Sequence, residues 1–176
     1  QRFERLRWLI FQCSLAKIPV LVLPFVDDNA IYTDAEHDRI THIVYRVSGL
    51  LNDCNVQLSL ETNLSPLSFS GLISRCYNNI GINYDSGNSA SLGYDMEFEW
   101  RLYGHRITNV HIKDRVLSGG SVPLGEGSTN FDTLSNVLVK FGYKGNIILQ
   151  VARGESGKEV EWYKGNRNFL VDRGIG

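Results

Sequence analysis

The chain has 176 residues, of which 43% are hydrophobic and 21% are charged. These values are typical of a folded domain with a packed core, and they exclude extensive disorder. The formal net charge of −1 and the pI near 6.5 provide no basic excess for contacts with a phosphate backbone. Binding to nucleic acid is therefore not expected.

The longest apolar run, Ile18–Val26, contains Pro19 and Pro24 and is shorter than the roughly 20 residues that cross a bilayer. We expect no membrane association. The cysteines are odd in number and lack the close pairs of a zinc knuckle, which predicts reduced, mostly buried thiols and a cytoplasmic protein.

Helical and strand patterns alternate along the chain. The first residues already have the apolar spacing of a helix interior, so we expect the sequence to begin part-way through a protein. A second helix is predicted over Asp34–Leu51. Later helices are predicted to begin at Pro66, with Ser65 as the cap, and after Asn130 or Asp132. Predicted strands start near residues 20, 56, 82, 110 and 147, and no hairpin signal separates them.

This alternation predicts a parallel sheet with helical crossovers in an α/β domain over residues 1–176. A doubly wound sheet and a (β/α) barrel give the same pattern, and a closed barrel needs eight strands and about 250 residues. The continuous apolar run Ile18–Pro24 predicts a strand that is buried on both faces. The segment Leu117–Gly127 is rich in Gly and Pro and is predicted to be a long loop.

Polar side chains stand where the predicted strands end, and the carboxyl ends of parallel strands meet at one edge of a sheet. These residues are Glu61, Asp85, His111 and Gln150. Singly, Glu61 could cap a turn, Asp85 could form an Asx turn and His111 could be a core histidine. Together, Glu61, Asp85 and His111 favour a site for a divalent ion, and ligands without thiolate suit Mn²⁺, Mg²⁺, Co²⁺ or Zn²⁺.

Three cations, Lys113, Arg115 and Arg153, follow strand ends. They could bind a substrate hydroxyl or phosphate, or they could be solvated surface charges.

The motifs resemble, in order and spacing, those of the sugar (phosphate) isomerase/epimerase family of xylose isomerase-like TIM barrels, which includes endonuclease IV. They are Leu60-Glu-Thr-Asn63, Asn83–Asn88, Val110–Arg115, Val122–Gly127 and Ile148–Glu155. The resemblance implies an incomplete barrel of about five βα units, corresponding to strands four to eight of the family barrel.

The resemblance also implies roles. Glu61, Asp85 and His111 would bind the metal, Glu61 would act as acid and base through an enediolate of a ketose, and the substrate would be a sugar or sugar phosphate. Gln150 stands where the family usually has a glutamate; its amide oxygen can bind a metal, but it cannot exchange a proton. Asn88, with the three cations, would contact the substrate.

Two other functions remain open from the sequence. One is a non-catalytic sugar-binding or inactive barrel, because Gln150 replaces a carboxylate. The other is phosphodiester cleavage of the endonuclease IV type. A homo-oligomer is also left open.

Overall fold

A computed structural model describes residues 2–176 and has five strands in one sheet that alternate with helices. The helices are α1 Arg2–Leu15, α2 Asp34–Cys54, α3 Pro66–Ser74, α4 Ser86–Ser91, α5 Met96–Tyr103, α6 Phe131–Lys140 and α7 Glu159–Val171. The strands of the sheet are β1 Val20–Phe25, β2 Gln57–Thr62, β3 Ile80–Asp85, β4 Ile107–Ile112 and, after two short strands given below, β7 Asn146–Leu149.

The sheet has the order β1-β2-β3-β4-β7 and is parallel. Strands β1 and β2 pair along their whole length, from Val20 with Gln57 to Phe25 with Thr62. The connection from each strand of the sheet to the next contains at least one helix, which returns the chain to the start of the next strand. The predicted parallel α/β architecture, an incomplete barrel of the TIM type, is confirmed.

The chain divides into two compact units, one formed by residues up to Asn83 with Arg106–Thr108, the other by Tyr84–His105 with Asn109–Gly176. The expectation of one domain over the whole chain stays a prediction. In the first unit, the apolar stripes of α1, α2 and α3 and the inward residues of β2 form the core. Its most deeply buried side chains include Ile10, Val44, Val47, Leu51, Leu58, Leu60 and Leu72.

An aromatic cluster around Trp100 forms part of the core of the second unit. The Trp100 ring lies 5.6 Å from Tyr84, 5.8 Å from Phe141 and 5.9 Å from Tyr143, centroid to centroid. Edge contacts of this kind stabilise a core beyond the apolar area that they bury. They pack α5 against β3 and the chain that follows α6.

The prediction that the strand at Ile18–Pro24 is buried on both faces was wrong. No residue of β1 is buried, and Ile18 just before it is 47% exposed. The reason is that β1 is an edge strand of the sheet. Among residues 2–176, no strand pairs with its outer edge. An apolar sequence alone does not reveal how many neighbours a strand has.

The expectation that no hairpin interrupts the strands is corrected. The short strand β6 Ser121–Val122 lies within the predicted loop Leu117–Gly127 and pairs antiparallel with β5 Asp114–Arg115, which precedes that loop. Two-residue strands are too short to produce the alternation that reveals a hairpin.

No helix within residues 2–176 combines the length and the apolar character that a membrane crossing requires.

The cysteines are free thiols; Cys13 is buried, whereas Cys54 and Cys76 are half-buried. Burial raises the pKa of the Cys76 thiol, which disfavours the reactive thiolate. The cytoplasmic location stays a prediction.

Candidate metal centre

Glu61 lies near the carboxyl end of β2 and is 5% exposed. Its Oε2 accepts a hydrogen bond of 2.7 Å from Nδ2 of Asn83, a buried residue of the neighbouring strand β3. Because a buried carboxylate is costly unless it is hydrogen-bonded, this contact both stabilises Glu61 and fixes the plane of its carboxylate.

Asp85 is the last residue of β3 and immediately precedes α4. Its Oδ1 accepts a bond of 2.8 Å from the backbone N–H of Asn88, which makes Asp85 the N-cap of that helix. Its Oδ2 lies 3.5 Å from Nζ of Lys113. Asp85 therefore also has the structural role that the sequence left open, since a carboxylate that caps a helix is held in one orientation.

His111 lies on β4 and is half-buried. Glu61, Asp85 and His111 each offer one ligand atom, and these atoms all lie within 4.8 Å of one another. Ligand atoms of one ion stand about 2.0 to 2.6 Å from it, so two of them are at most about 4 to 5 Å apart. The donor set and its spacing therefore fit a single divalent ion.

Beside Asp85, Arg115 donates from Nη1 to Oδ1 of Asn88 at 2.8 Å and from Nε to the carbonyl of Gly119 at 2.9 Å. The structure thus brings Asn88, Lys113 and Arg115 into one set of contacts next to Asp85. Such contacts order long cationic side chains that would otherwise lose rotamer freedom when a substrate binds.

Gln150 and Arg153, the other predicted site residues, are exposed. The backbone N–H of Gln150 donates to the carbonyl of Ile112 at 2.9 Å and extends the pairing of β7 with β4. The roles predicted for both side chains stay predictions.

Sequence reasoning missed Asp114, whose side chain is fully buried. Its carboxylate accepts backbone N–H bonds from Gly125 and Gly127 at 2.9 Å each and from Thr129 at 3.0 Å. A Cβ at Gly127 would collide with this carboxylate. Asp114 thereby anchors the segment after β5. In the sequence it stood within the motif Val110–Arg115, but no role was predicted for it.

A second anchor joins the same segment to the start of α4. The hydroxyl of Ser86 donates to the carbonyl of Lys113 at 2.8 Å and accepts from its N–H at 3.0 Å. Thr129 Oγ1 donates to the same carbonyl at 3.1 Å. Both ends of the segment are therefore fixed beside Asp85.

The family model of xylose isomerase-like TIM barrels matches residues 2–172. The chain belongs to this family. The resemblance inferred from the motifs is confirmed, and so is the fold that it implied. A comparison with curated proteins gives no match.

Solved structures similar to this family member include three with sequence identities of 16–18%, each covering 97% of this chain. They are the IOLI protein with a bound zinc atom (18% identity, 68% of its length, TM-score 0.81), an L-ribulose 3-epimerase (17%, 66%, 0.82) and a xylose isomerase-like TIM barrel protein from Mycobacterium smegmatis in complex with magnesium (16%, 66%, 0.73). Another similar structure, a xylose isomerase domain protein from Planctomyces limnophilus, is covered over 65% of its length. The chain therefore spans about two thirds of the length of these proteins. At these identities the likeness shows the fold.

Proposed function

We propose that this chain carries the metal centre of a sugar or sugar-phosphate isomerase or epimerase. The observation that supports the proposal most is the gathering of Glu61, Asp85 and His111, with ligand atoms within 4.8 Å of one another. The family and the sugar epimerase among the similar structures agree with this chemistry. Gln150 is proposed as a further ligand through its amide oxygen.

A bound divalent ion would polarise the substrate carbonyl and stabilise developing negative charge. Glu61 then serves as general base and takes a proton from the carbon next to that carbonyl, and the same carboxyl returns it to the former carbonyl carbon, which isomerises the sugar. The hydrogen bond from Asn83 holds Glu61 in the orientation that this transfer needs. Because a glutamine cannot exchange protons at neutral pH, Gln150 gives no second base. Epimerisation, which delivers the proton to the opposite face of the same carbon, would therefore need a proton donor other than Gln150.

Lys113, Arg115 and Asn88 are proposed to contact the hydroxyl or phosphate groups of the substrate, with Arg153 as a further cation. The support is their mutual contacts beside Asp85. Charge-assisted hydrogen bonds to oxygen are about twice as strong as neutral ones, so these groups would set the position of the reacting carbon over Glu61.

The test is solvent proton exchange into ketoses and ketose phosphates in D₂O, followed by NMR, with the purified protein supplied with Mn²⁺. We expect deuterium at the carbon beside the carbonyl, loss of exchange with a chelator, and a decrease of at least about a hundredfold in Glu61→Gln, the usual contribution of a general base. The exposed Glu161 provides the matched control, Glu161→Gln. Exchange that survives both the chelator and Glu61→Gln would refute the proposal.

A non-catalytic sugar-binding protein is the second candidate, and the observation that favours it is Gln150 in place of a carboxylate. This candidate predicts saturable binding of a ketose by calorimetry without deuterium incorporation. Exchange at any rate above the uncatalysed background would exclude it.

A further inference from the structure

A carboxylate that the proposed reaction does not use is buried behind Asp85. Consecutive residues of a strand point to opposite faces, so Tyr84 and Asp85, the last two residues of β3, point away from each other. Asp85 points toward the other candidate ligands. The hydroxyl of Tyr84 reaches Glu99 of α5 instead, at 3.1 Å from its Oε2.

Glu99 is 4% exposed, and its carboxylate accepts three hydroxyl hydrogen bonds. The donors are Tyr84, Ser89, and Tyr103 at 2.6 Å. The pKa of Glu99 is raised, because burial outweighs the lowering by these three hydrogen bonds. A buried acid of this kind persists in a fold only where its hydrogen bonds offset the loss of solvation.

Two of the three donors lie on either side of Asp85 in the chain. Tyr84 precedes it on β3, and Ser89 follows it on α4, the short helix that Asp85 caps. Tyr84 and Ser89 are themselves joined, with 3.3 Å between their hydroxyl oxygens. Glu99 therefore binds the chain before and after the candidate ligand from the face opposite to the site.

The third donor gives an internal contrast. Tyr103 lies on α5, the same helix as Glu99, four residues further along. Its hydrogen bond to Glu99 joins two residues of one helix. The hydroxyl of Ser89 instead joins the same carboxylate to α4.

We propose that Glu99 is a positioning residue, which fixes residues 84–89 so that Asp85 is presented to the metal in a single orientation. The proposal rests on the function proposed above. A ligand held in its binding orientation before the ion arrives loses less conformational freedom on binding, and partners that orient a ligand typically contribute 10- to 100-fold to metal affinity. Because Glu99 acts through the backbone, we expect the lower end of this range.

The experiment measures Mn²⁺ affinity by electron paramagnetic resonance of the free ion, together with thermal unfolding of each protein. We expect Glu99→Leu to weaken Mn²⁺ binding by about tenfold and Ser89→Ala by about threefold. Tyr103→Phe, which removes one hydrogen bond from the same carboxylate, should keep the wild-type affinity within a factor of about two. Equal affinities in Ser89→Ala and Tyr103→Phe would overturn the proposal, and this pair decides the question if Glu99→Leu does not fold.

The thermal data separate positioning from general loss of stability. If the loss of Mn²⁺ affinity in every variant is proportional to the decrease in its melting temperature, Glu99 only stabilises the fold and the proposal is wrong. Absence of Mn²⁺ binding by the wild-type protein would instead refute the metal centre, and the inference with it. Wild-type binding with a selective loss in Ser89→Ala is the expected result.

Discussion

Replacing Asp114 with asparagine tests whether a single buried carboxylate holds the segment beside the site. The aspartate accepts three backbone N–H bonds, two at Oδ2 and one at Oδ1. Asparagine offers one oxygen, so the best orientation keeps the bonds from Gly125 and Gly127 and turns its NH₂ toward the N–H of Thr129. One donor then loses its acceptor in a buried place, and the two remaining bonds lose the charge of the acceptor.

A hydrogen bond to a charged group is worth about 1.5 to 3 kcal/mol, and an unsatisfied buried donor costs about 1 to 3 kcal/mol. These are overlapping measures of the same loss, so we expect Asp114→Asn to lower the free energy of unfolding by about 2 to 4 kcal/mol. Urea denaturation measures this change. The exposed Asp28 supplies the control, since Asp28→Asn should stay within about 0.5 kcal/mol of wild type.

Hydrogen exchange locates the effect. The amides of Gly127 and Thr129 should lose protection in Asp114→Asn by more than the global change in stability explains, because their own acceptor has been altered. An unfolding free energy within about 0.5 kcal/mol of wild type, with unchanged protection of these amides, would show that Asp114 does not anchor the segment.

The remaining predictions concern glycine packing and alkaline pH. Gly127→Ala should destabilise the protein, because the added methyl group meets the Asp114 carboxylate, whereas Gly49→Ala in α2, with nothing within 4 Å, should stabilise it by about 0.5 to 1 kcal/mol; equal unfolding free energies in urea would contradict this. Burial and the nearby Glu99 carboxylate raise the pKa of Tyr103. Above about pH 10, the Tyr103 hydroxyl therefore loses its proton in the unfolded chain but keeps it in the folded protein. The free energy of unfolding then falls with rising pH by up to about 1.4 kcal/mol per pH unit. The stability that Tyr103 contributes in this way is fully present below the pKa of tyrosine in the unfolded chain. Tyr103→Phe should therefore lose less stability than wild type between about pH 9 and 11. Identical losses would show that Tyr103 is not responsible for the effect.

Local sequence signals predicted the elements because the interactions behind them are local. Ser65 and Asn130 cap α3 and α6 as expected, by accepting from the N–H of Ser68 at 3.3 Å and of Thr133 at 2.9 Å. The ligand-type residues were found for a similar reason, since a parallel sheet places the carboxyl ends of its strands at one edge.

The residues that support the site could not be found in this way. Asp114 binds backbone groups 11 to 15 residues away along a loop without periodicity. Glu99 lies on α5 among other charged residues such as Glu97 and Arg101, so nothing in the sequence marked it as the buried acid behind Tyr84. Both depend on where segments lie in space, which neither spacing nor composition encodes.

The exposure of β1 has a related cause. Its apolar run, Ile18–Pro24, has the composition of a central strand, but a strand's burial depends on its neighbours, and β1 ends the sheet order. Burial is thus a property of topology as well as of the strand sequence.

The most direct test of the metal centre is anomalous X-ray diffraction at the manganese edge, from crystals of the protein soaked in Mn²⁺. We predict one strong peak about 2.0 to 2.6 Å from a carboxylate oxygen of Glu61, a carboxylate oxygen of Asp85 and a ring nitrogen of His111. A peak bound elsewhere, or no peak within reach of all three side chains, would contradict the account.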